Sequence, residues 1–285
     1  MIKAENVTFK YGSDGKEAVK NINLQIDEGD FIGITGHGGA GKTTLANILN
    51  GVIPQHCGGD FYGYVTVDGM DTVDTPAEKI SLVLGSVFQD IESQLIMNDV
   101  YSEILFGLEN FGVPHDEIDE RINEALTLVG IEDLKNRETA TLSGGQKQKV
   151  AIASIIALKP KYLILDEPTG ELDPKSSRRI YELLKEINEK HGITVIVIEQ
   201  KIMLLCEFAK KLTVMNNGEI ILFGNVSDVL ENSDALEEAG INVPRVVSLA
   251  KELKNRGLYS GKMPVNIETA AEIIRSITEV SYDKA

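Results

Sequence analysis

A glycine-rich loop between an apolar run and a helical pattern restricts the fold of this chain more than any other feature. The loop reads GHGGAGKT at residues 36–43, after an apolar run at 30–35 and at the start of a helical pattern at 42–49. Glycines let backbone N–H groups wrap closely around a phosphate, and the positive end of the following helix points at the same group. Strand, loop and helix in this order predict an α/β domain that binds a nucleotide.

The residue types in this loop assign roles to its positions. Lys42 is expected to reach the β- and γ-phosphates, and the hydroxyl of Thr43 is expected to bind Mg²⁺. Tyr11 follows an alternating strand pattern at 2–9, and its ring can stack on adenine, with ordinary packing as the alternative. The predicted nucleotide-binding set on this side is Tyr11, Gly36, Gly38, Gly39, Gly41, Lys42, Thr43 and Thr44.

Two adjacent carboxylates end an apolar strand farther along the chain, in the run LILDE at 163–167. Asp166 ends a strand that should be buried, and we expect it to hold Mg²⁺ directly or through water. Glu167 is expected to orient and polarise the water that attacks the γ-phosphate. Gln89 follows a shorter strand pattern at 86–88 and is a weaker candidate for contact with Mg²⁺ or this water.

The run LSGGQ at 142–146 adds a second phosphate-binding element. Together with the loop at 36–43, it indicates that one nucleotide is gripped from two sides. Hydrolysis would then open and close a pair of proteins.

Charge and composition exclude several classes of partner. The chain has 28 basic and 44 acidic side chains, a net charge of −16, which disfavours nucleic acid and anionic lipid. No apolar run approaches the roughly 18–20 residues that span a bilayer, and no signal peptide is evident, so a cytosolic location is expected. Any membrane contact should go through a protein partner. Cys57 and Cys206 are expected to be reduced thiols.

The remaining patterns alternate between strands and helices. Apolar β-branched runs at 162–165 and 194–198 predict buried parallel strands, with a helix at 176–190 between them. The turn residues at 216–219 predict a hairpin, and a turn is expected at 12–15. Residues 90–160 are helical in pattern, and the helix after LSGGQ should stop at Lys159-Pro160. From about residue 225 the chain is again helical.

Five motifs together resemble the ATP-binding-cassette (ABC) ATPases in order and spacing. They are the phosphate loop at 36–43, Gln89, LSGGQ at 142–146, LILDE at 163–167 and Leu172-Asp173. The resemblance implies an α/β fold with a RecA-like P-loop core, an antiparallel β subdomain and an inserted helical subdomain at about 90–160. It places the nucleotide-binding domain at 1–225 and a small C-terminal helical extension at 226–285.

The same resemblance implies a head-to-tail dimer with two ATP molecules at its interface, whether homodimer or heterodimer. The signature of one subunit would face the phosphate loop of the other. Asp173 would pass communication between the two sites. The residues that would contact the partner's ATP are Ser143, Gly144, Gly145 and Gln146.

One position departs from the family pattern. The family usually has a histidine after the strand at 195–198, where this chain has Gln200. A glutamine amide can donate a hydrogen bond to the γ-phosphate, but it cannot carry a proton or a positive charge. We therefore expect normal ATP binding and slower hydrolysis than in a histidine version.

Several segments are similar to the energy-coupling-factor and cobalt-type importers. The similar segments are 51–54, 67–72, 94–97, 106–107, 240–245 and 249–250. The likeness implies a transmembrane coupling subunit, a separate substrate-binding membrane subunit, and a vitamin or transition-metal ion as cargo. The ATPase would then sit on the cytoplasmic face of the cell membrane. An apolar cluster beside Gln89 is either core or a groove for the membrane partner, and its members are Leu95, Ile96, Met97 and Val100.

Other members of the wider family remain alternatives. An ABC ATPase of translation would usually carry two cassettes and basic linkers, and one of DNA maintenance would carry a long coiled coil. This chain has one cassette and an acidic balance, with about a hundred residues between the motifs. An exporter ATPase and a soluble scaffold ATPase for iron–sulfur assembly stay open.

Overall fold

The computed structural model of the protein describes residues 1–12 and 15–282. The strands within these residues are β1 (Ile2–Tyr11), β2 (Glu17–Ile26), β3 (Phe31–Thr35), β4 (Gly59–Val67), β5 (Met70–Asp71), β6 (Leu84–Val87), β7 (Tyr162–Asp166), β8 (Thr194–Ile198), β9 (Lys211–Asn216) and β10 (Glu219–Asn225). The helices are α1 (Lys42–Leu49), α2 (Val52–Gln55), α3 (Ala77–Ser81), α4 (Ile91–Gln94), α5 (Val100–Asn110), α6 (His115–Val129), α7 (Gly144–Ile156), α8 (Pro174–His191), α9 (Ile202–Phe208), α10 (Val226–Leu230), α11 (Ser233–Glu238), α12 (Arg245–Asn255) and α13 (Ile267–Tyr282).

A six-stranded, mostly parallel sheet forms the centre of the fold. Its strand order is β10-β9-β3-β8-β7-β6, and all neighbours are parallel except the β9–β10 hairpin. Asn217 and Gly218 join the hairpin with φ of 49° and 85°, as a two-residue type I′ turn requires. The predicted parallel strands and the predicted hairpin are confirmed.

A second, antiparallel sheet has the order β2-β1-β4-β5. It confirms the strands expected at 2–9 and near 21–26, and both are longer than their sequence patterns. The turn expected at 12–15 falls partly on Ser13 and Asp14, which lie outside the described residues. The α/β class, with an antiparallel sheet beside the parallel one, is therefore confirmed.

Strand β7 lies between two hydrophobic cores and contributes side chains to both. Tyr162 and Ile164 face the core that the antiparallel sheet and α1 cover, and Leu163 and Leu165 face the core that the later helices cover. Successive side chains of a strand point to opposite faces, so a strand covered on both sides must be apolar throughout. The continuous apolar run at 162–165, which predicted a buried parallel strand, is explained by this burial on both faces.

The segment between β6 and β7 is helical, as expected. Helix α6 buries the stripe predicted from its spacing, which consists of Ile118, Ile122, Leu126 and Val129. Helix α7 ends at Ile156, a little before the predicted stop at Lys159-Pro160, because the chain turns there through Leu158 N–H to Ile155 O and Lys159 N–H to Ile156 O bonds. Among the residues described, no helix is both long and apolar enough to cross a bilayer.

The chain after β10 contains α10–α13, so the helical pattern expected from about residue 225 is confirmed. Helices α10 and α11 pack onto the main core through Val226, Val229, Leu230 and Leu236. Helix α12 adds Val247 and Ala250 to the same core. The division of the chain at residue 225 stays a prediction.

Candidate nucleotide site

The glycine-rich loop connects the end of β3 to the first residue of α1, in the context that the sequence predicted. At Gly36 an added Cβ would lie 2.3 Å from the carbonyl oxygen of Met215, and at Gly41 it would lie 2.4 Å from that of Ala18. Gly41 also has a φ of 99°, which L side chains rarely adopt. Both positions therefore require glycine, because other parts of the backbone pass directly behind the loop.

Lys42 lies against the carbonyl groups of this loop. Its Nζ donates to Gly36 O at 3.0 Å and to His37 O at 3.1 Å, and the side chain is 6% exposed. Burial lowers the pKa of Lys42, and the carboxylates of Glu167 and Asp166 oppose that shift. The ammonium group is thus held at the centre of the loop, facing the carboxylate end of β7.

Asp166 carries a buried oxygen that lacks a protein partner. It ends β7 at 5% exposure, and among the described residues no donor reaches its Oδ1. Burial is the main cause that raises the pKa of Asp166, and a hydrogen bond from Thr43 opposes it. A partnerless carboxylate oxygen next to a threonine hydroxyl fits a hard, oxygen-seeking cation such as Mg²⁺. No cluster of three His, Cys, Asp or Glu ligands exists within the described ranges, so such a cation would take its other ligands elsewhere.

Glu167 receives an amide on each of its two carboxylate oxygens. Gln89 Nε2 donates to Oε2 at 3.2 Å, and Gln200 Nε2 donates to Oε1 at 2.7 Å. The backbone of Glu167 is left-handed, with a φ of 48°, a conformation that costs an L residue roughly 1–2 kcal/mol. The three side chains that sequence reasoning placed separately near the γ-phosphate therefore form one group.

The direct contact of both amides with Glu167 was missed by sequence reasoning. Strands β6, β7 and β8 are parallel neighbours, and Gln89, Glu167 and Gln200 each follow one of them by one or two residues. The carboxyl ends of parallel neighbours meet at one edge of a sheet, which was the available signal.

Glu199 is a second residue that sequence reasoning missed. It follows β8 at 2% exposure, and its Oε1 accepts from the backbone N–H of Thr169 at 3.1 Å and from the Thr169 hydroxyl. The signal that could have found it is the one that identified Asp166, namely a carboxylate at the end of a buried, largely apolar strand.

Tyr11, the predicted base-stacking residue, lies beside the start of α1. It ends β1 with 45% exposure, packs edge-on against Phe9 at 4.8 Å between centroids, and its hydroxyl lies 3.2 Å from Thr44 Oγ1. The ring is therefore held beside the first turn of α1, and part of it stays open to solvent.

The LSGGQ run forms the start of α7. Ser143 is the N-cap, and it forms a capping box with Gln146: Ser143 N–H donates to Gln146 Oε1 at 2.9 Å, and Gln146 N–H donates to Ser143 Oγ at 3.4 Å. Ser143 and Gly144 are exposed. An added Cβ on Gly144 would lie 3.3 Å from Leu172, so the signature borders the loop that carries Asp173. Asp173 itself caps α8 by accepting from Lys175 and Ser176 N–H groups.

The apolar cluster after Gln89 divides between core and surface. Val100 is fully buried and therefore belongs to the core, whereas Ile96 is 59% exposed and Leu95 and Met97 are half-buried. The buried carboxylate of Glu103 accepts the N–H groups of Ile96 and Met97 at 3.0 and 2.8 Å, which fixes this turn.

The loop cradle and the carboxylates on a nearby strand of the same sheet define a P-loop nucleotide-binding protein. Residues 19–170 match the family model described as ABC transporter, and the chain belongs to that family. The energy-coupling factor transporter ATP-binding protein EcfA2 of Caldanaerobacter subterraneus subsp. tengcongensis is 40% identical, over 96% of each chain.

Two solved structures are also similar. CbiO1 of Clostridium perfringens, part of the ABC transporter complex CbiONQ, is 36% identical with a TM-score of 0.75, over 88% of this chain and 98% of that one. The ATP-binding cassette MJ0796, a dimer bound to ADP and Pi in a post-hydrolysis state, is 31% identical with a TM-score of 0.69, over 79% of this chain and 99% of that one. The chain is therefore an ATP-binding ABC transporter ATPase, similar to the energy-coupling-factor and cobalt-type group.

Proposed function

We propose that this ATPase powers a membrane importer for a vitamin or a transition-metal ion, through closure of a dimer around ATP. The observation that carries the hydrolytic part is the Glu167 carboxylate, held by Gln89 and Gln200 beside Asp166 and Lys42. The likeness to EcfA2 and CbiO1 supports the importer class. Residues 1–225 form the nucleotide-binding domain, and 226–285 form the extension.

The phosphate loop binds the phosphates of ATP. Lys42 exchanges its two loop carbonyl partners for β- and γ-phosphate oxygens, so a charge already in place meets the nucleotide. The backbone N–H groups at Gly36, Gly38, Gly39, Gly41 and Thr44 complete the cradle. Tyr11 places its ring against adenine.

Thr43, Asp166 and Gln89 would hold Mg²⁺. The partnerless Oδ1 of Asp166 is the observation that supports this assignment. When bound there, the ion would neutralise charge on the β- and γ-phosphates.

Glu167 acts on the attacking water. Its carboxylate accepts a hydrogen bond from the water and aligns it with the γ-phosphorus. It takes up the proton as the water oxygen bonds to that phosphorus, while the bond from the phosphorus to the β–γ bridging oxygen breaks and ADP leaves. Gln89 and Gln200 fix the two carboxylate oxygens through their amide hydrogens. Gln200 can also donate to a γ-phosphate oxygen, although without a positive charge.

The other half of each ATP site comes from a second ABC ATPase subunit, either a copy of this chain or a related one. Ser143, Gly144, Gly145 and Gln146 present a helix N-terminus at the surface, and such a terminus binds anions through its N–H groups. Asp173 lies beside this signature and links the two sites.

The membrane partners are a transmembrane coupling subunit and a substrate-binding subunit, with the ATPase on the cytoplasmic face of the membrane. The exposed Ile96, fixed through the Glu103 carboxylate, supplies an apolar contact for a helix of the coupling subunit.

The test is affinity purification of the tagged chain from detergent-solubilised membranes of its own organism, followed by identification of the bound proteins. We expect two membrane proteins to co-purify and reconstituted vesicles to take up a metal ion or vitamin only with ATP. Ile96→Asp should release the membrane proteins without loss of ATP binding, and Leu258→Asp, at an exposed site on the extension, serves as the matched control. Retained co-purification with Ile96→Asp would contradict the docking surface, and purification without membrane proteins would contradict the importer.

A further inference from the structure

The buried carboxylate of Glu199 has no role in the scheme above. It lies between the end of β8 and the loop that follows Glu167, and its Oε1 accepts both donors of Thr169. Thr169 is itself 3% exposed, and the backbone N–H of Glu199 donates to Ile34 O at 3.0 Å. A buried pair of hydrogen bonds thus joins the end of β8 to the loop at 167–173, which we call the catalytic loop.

This loop carries the strained residue of the site. A non-glycine residue with left-handed φ persists when the surrounding structure over-determines it. Glu167 N–H donates to Ile198 O at 2.8 Å, and Gly170 N–H donates to Glu167 O at 3.1 Å. Glu199 adds the next anchor at Thr169, so consecutive residues at the end of β8 hold the loop at two points.

Packing alone does not account for a carboxylate in this place. An apolar side chain of similar size would leave the Thr169 N–H and hydroxyl buried without an acceptor, which is costly. Burial raises the pKa of Glu199, and the two Thr169 bonds act in the opposite direction.

We propose that Glu199 is a positioning residue, which fixes the backbone of Glu167 through Thr169 and keeps the catalytic carboxylate within reach of Gln89 and Gln200. The inference rests on the proposed role of Glu167 in hydrolysis. Glu199 touches neither nucleotide nor water in this assignment, so its effect should fall on turnover and not on ATP binding.

The test compares variants of the full chain in steady-state ATP hydrolysis. Thr169→Val removes the hydroxyl donor, and Glu199→Ala removes the acceptor of both bonds. Thr169→Ser and Glu199→Gln keep donor and acceptor. The matched control is Thr213→Val, because Thr213 is fully buried on β9 and its hydroxyl lacks a partner among the residues that the structure describes.

We expect Thr169→Val to lower kcat about tenfold with KM for ATP within about twofold, since a small misplacement of a catalytic group is costly. Thr169→Ser should restore kcat, and Thr213→Val should match the unmodified chain. Unchanged kcat in both Thr169→Val and Glu199→Ala would overturn the proposal. A loss of kcat/KM that comes from a higher KM for ATP, with kcat unchanged, would also overturn it.

Hydrogen exchange of the backbone amides of Glu167 and of residues 169–173 in the nucleotide-free chain gives a second readout that does not depend on activity. Faster exchange in Thr169→Val, but not in Thr213→Val, supports the anchor, and equal exchange in the two variants overturns it. If Glu167→Gln still hydrolyses ATP, the proposed role of Glu167 is wrong. The hydrogen-exchange result would then still show whether Glu199 fixes the loop through Thr169.

Discussion

The two halves of the proposed ATP site are built in opposite ways. The half at the end of β7 depends on contacts between distant parts of the chain, since Glu167 meets Gln89 from 78 residues away and Gln200 from 33 residues away. The signature half depends on a local contact, because Ser143 and Gln146 are three residues apart. The first half exists only when the parallel sheet is assembled, whereas the second is fixed within one turn of a helix.

The direction of the polar groups also differs between the halves. Lys42 and Asp166 are both buried, and the charge of Asp166 acts on Lys42. Ser143 and Gly144, by contrast, are exposed at the start of α7. The first turn of a helix leaves N–H groups without partners inside the helix. The polar groups at the end of β7 therefore lie inside the chain, whereas the start of α7 presents donors for an acceptor outside it, as the proposed dimer requires.

The largest effect should come from the long-range half. Glu167→Gln keeps the size of the side chain but removes its ability to accept a proton, and kcat should fall by about 10³-fold. ATP binding, measured by equilibrium titration, should remain, because Lys42 and the loop are untouched. A variant that keeps a tenth or more of the original turnover would show that the carboxylate is not the group that acts on water.

The next effect should come from the local half. Ser143→Asp keeps a good N-cap, so α7 should stay folded, but it adds a negative charge where the partner's γ-phosphate is proposed to bind. Turnover should fall about a hundredfold, which is the typical loss of one anion-stabilising contact. Ser143→Asn, a neutral cap, is the control and should lose far less. Equal rates in the two variants would mean that no phosphate approaches this terminus.

A smaller effect is expected where the chain departs from the family pattern. Gln200→His should raise turnover about fivefold, because a charged donor to phosphate adds about 1 kcal/mol over a neutral one. The rate should be measured at several pH values near the ordinary pKa of histidine. An unchanged or lower rate would contradict the hypothesis and would assign Gln200 to holding Glu167 alone.

The smallest effect concerns the stability of the local half. Gln146→Ala removes one side of the capping box and should lower the free energy of unfolding by about 0.5–1 kcal/mol, measured in urea. Its fold should otherwise be unchanged, because the contact links residues of one helical turn. A loss of several kcal/mol would show that the signature depends on long-range contacts after all.

Sequence reasoning succeeded where one segment carries its own signal. The strand before the phosphate loop, the β9–β10 turn and the apolar run at 162–165 each follow from local chemistry, and the structure has all of them. The amide contacts with Glu167 were missed because they depend on the order of β6, β7 and β8 in the sheet. Val100 could not be separated from Ile96 beforehand, because both are apolar and only packing decides which of them is covered.

Strand β7 sets a strict limit on how the length of the chain can vary. Its side chains alternate between the two cores, so the loss or gain of one residue within Tyr162–Asp166 would turn every following side chain to the wrong face. Asp166 would then lose its contact with Thr43, and Glu167 would lose its hydrogen bonds from Gln89 and Gln200. Substitutions of one apolar residue for another can be tolerated in this strand, but insertions and deletions cannot. The length of Tyr162–Asp166 is thus fixed, because the same five residues fill both hydrophobic cores and set the positions of the two carboxylates.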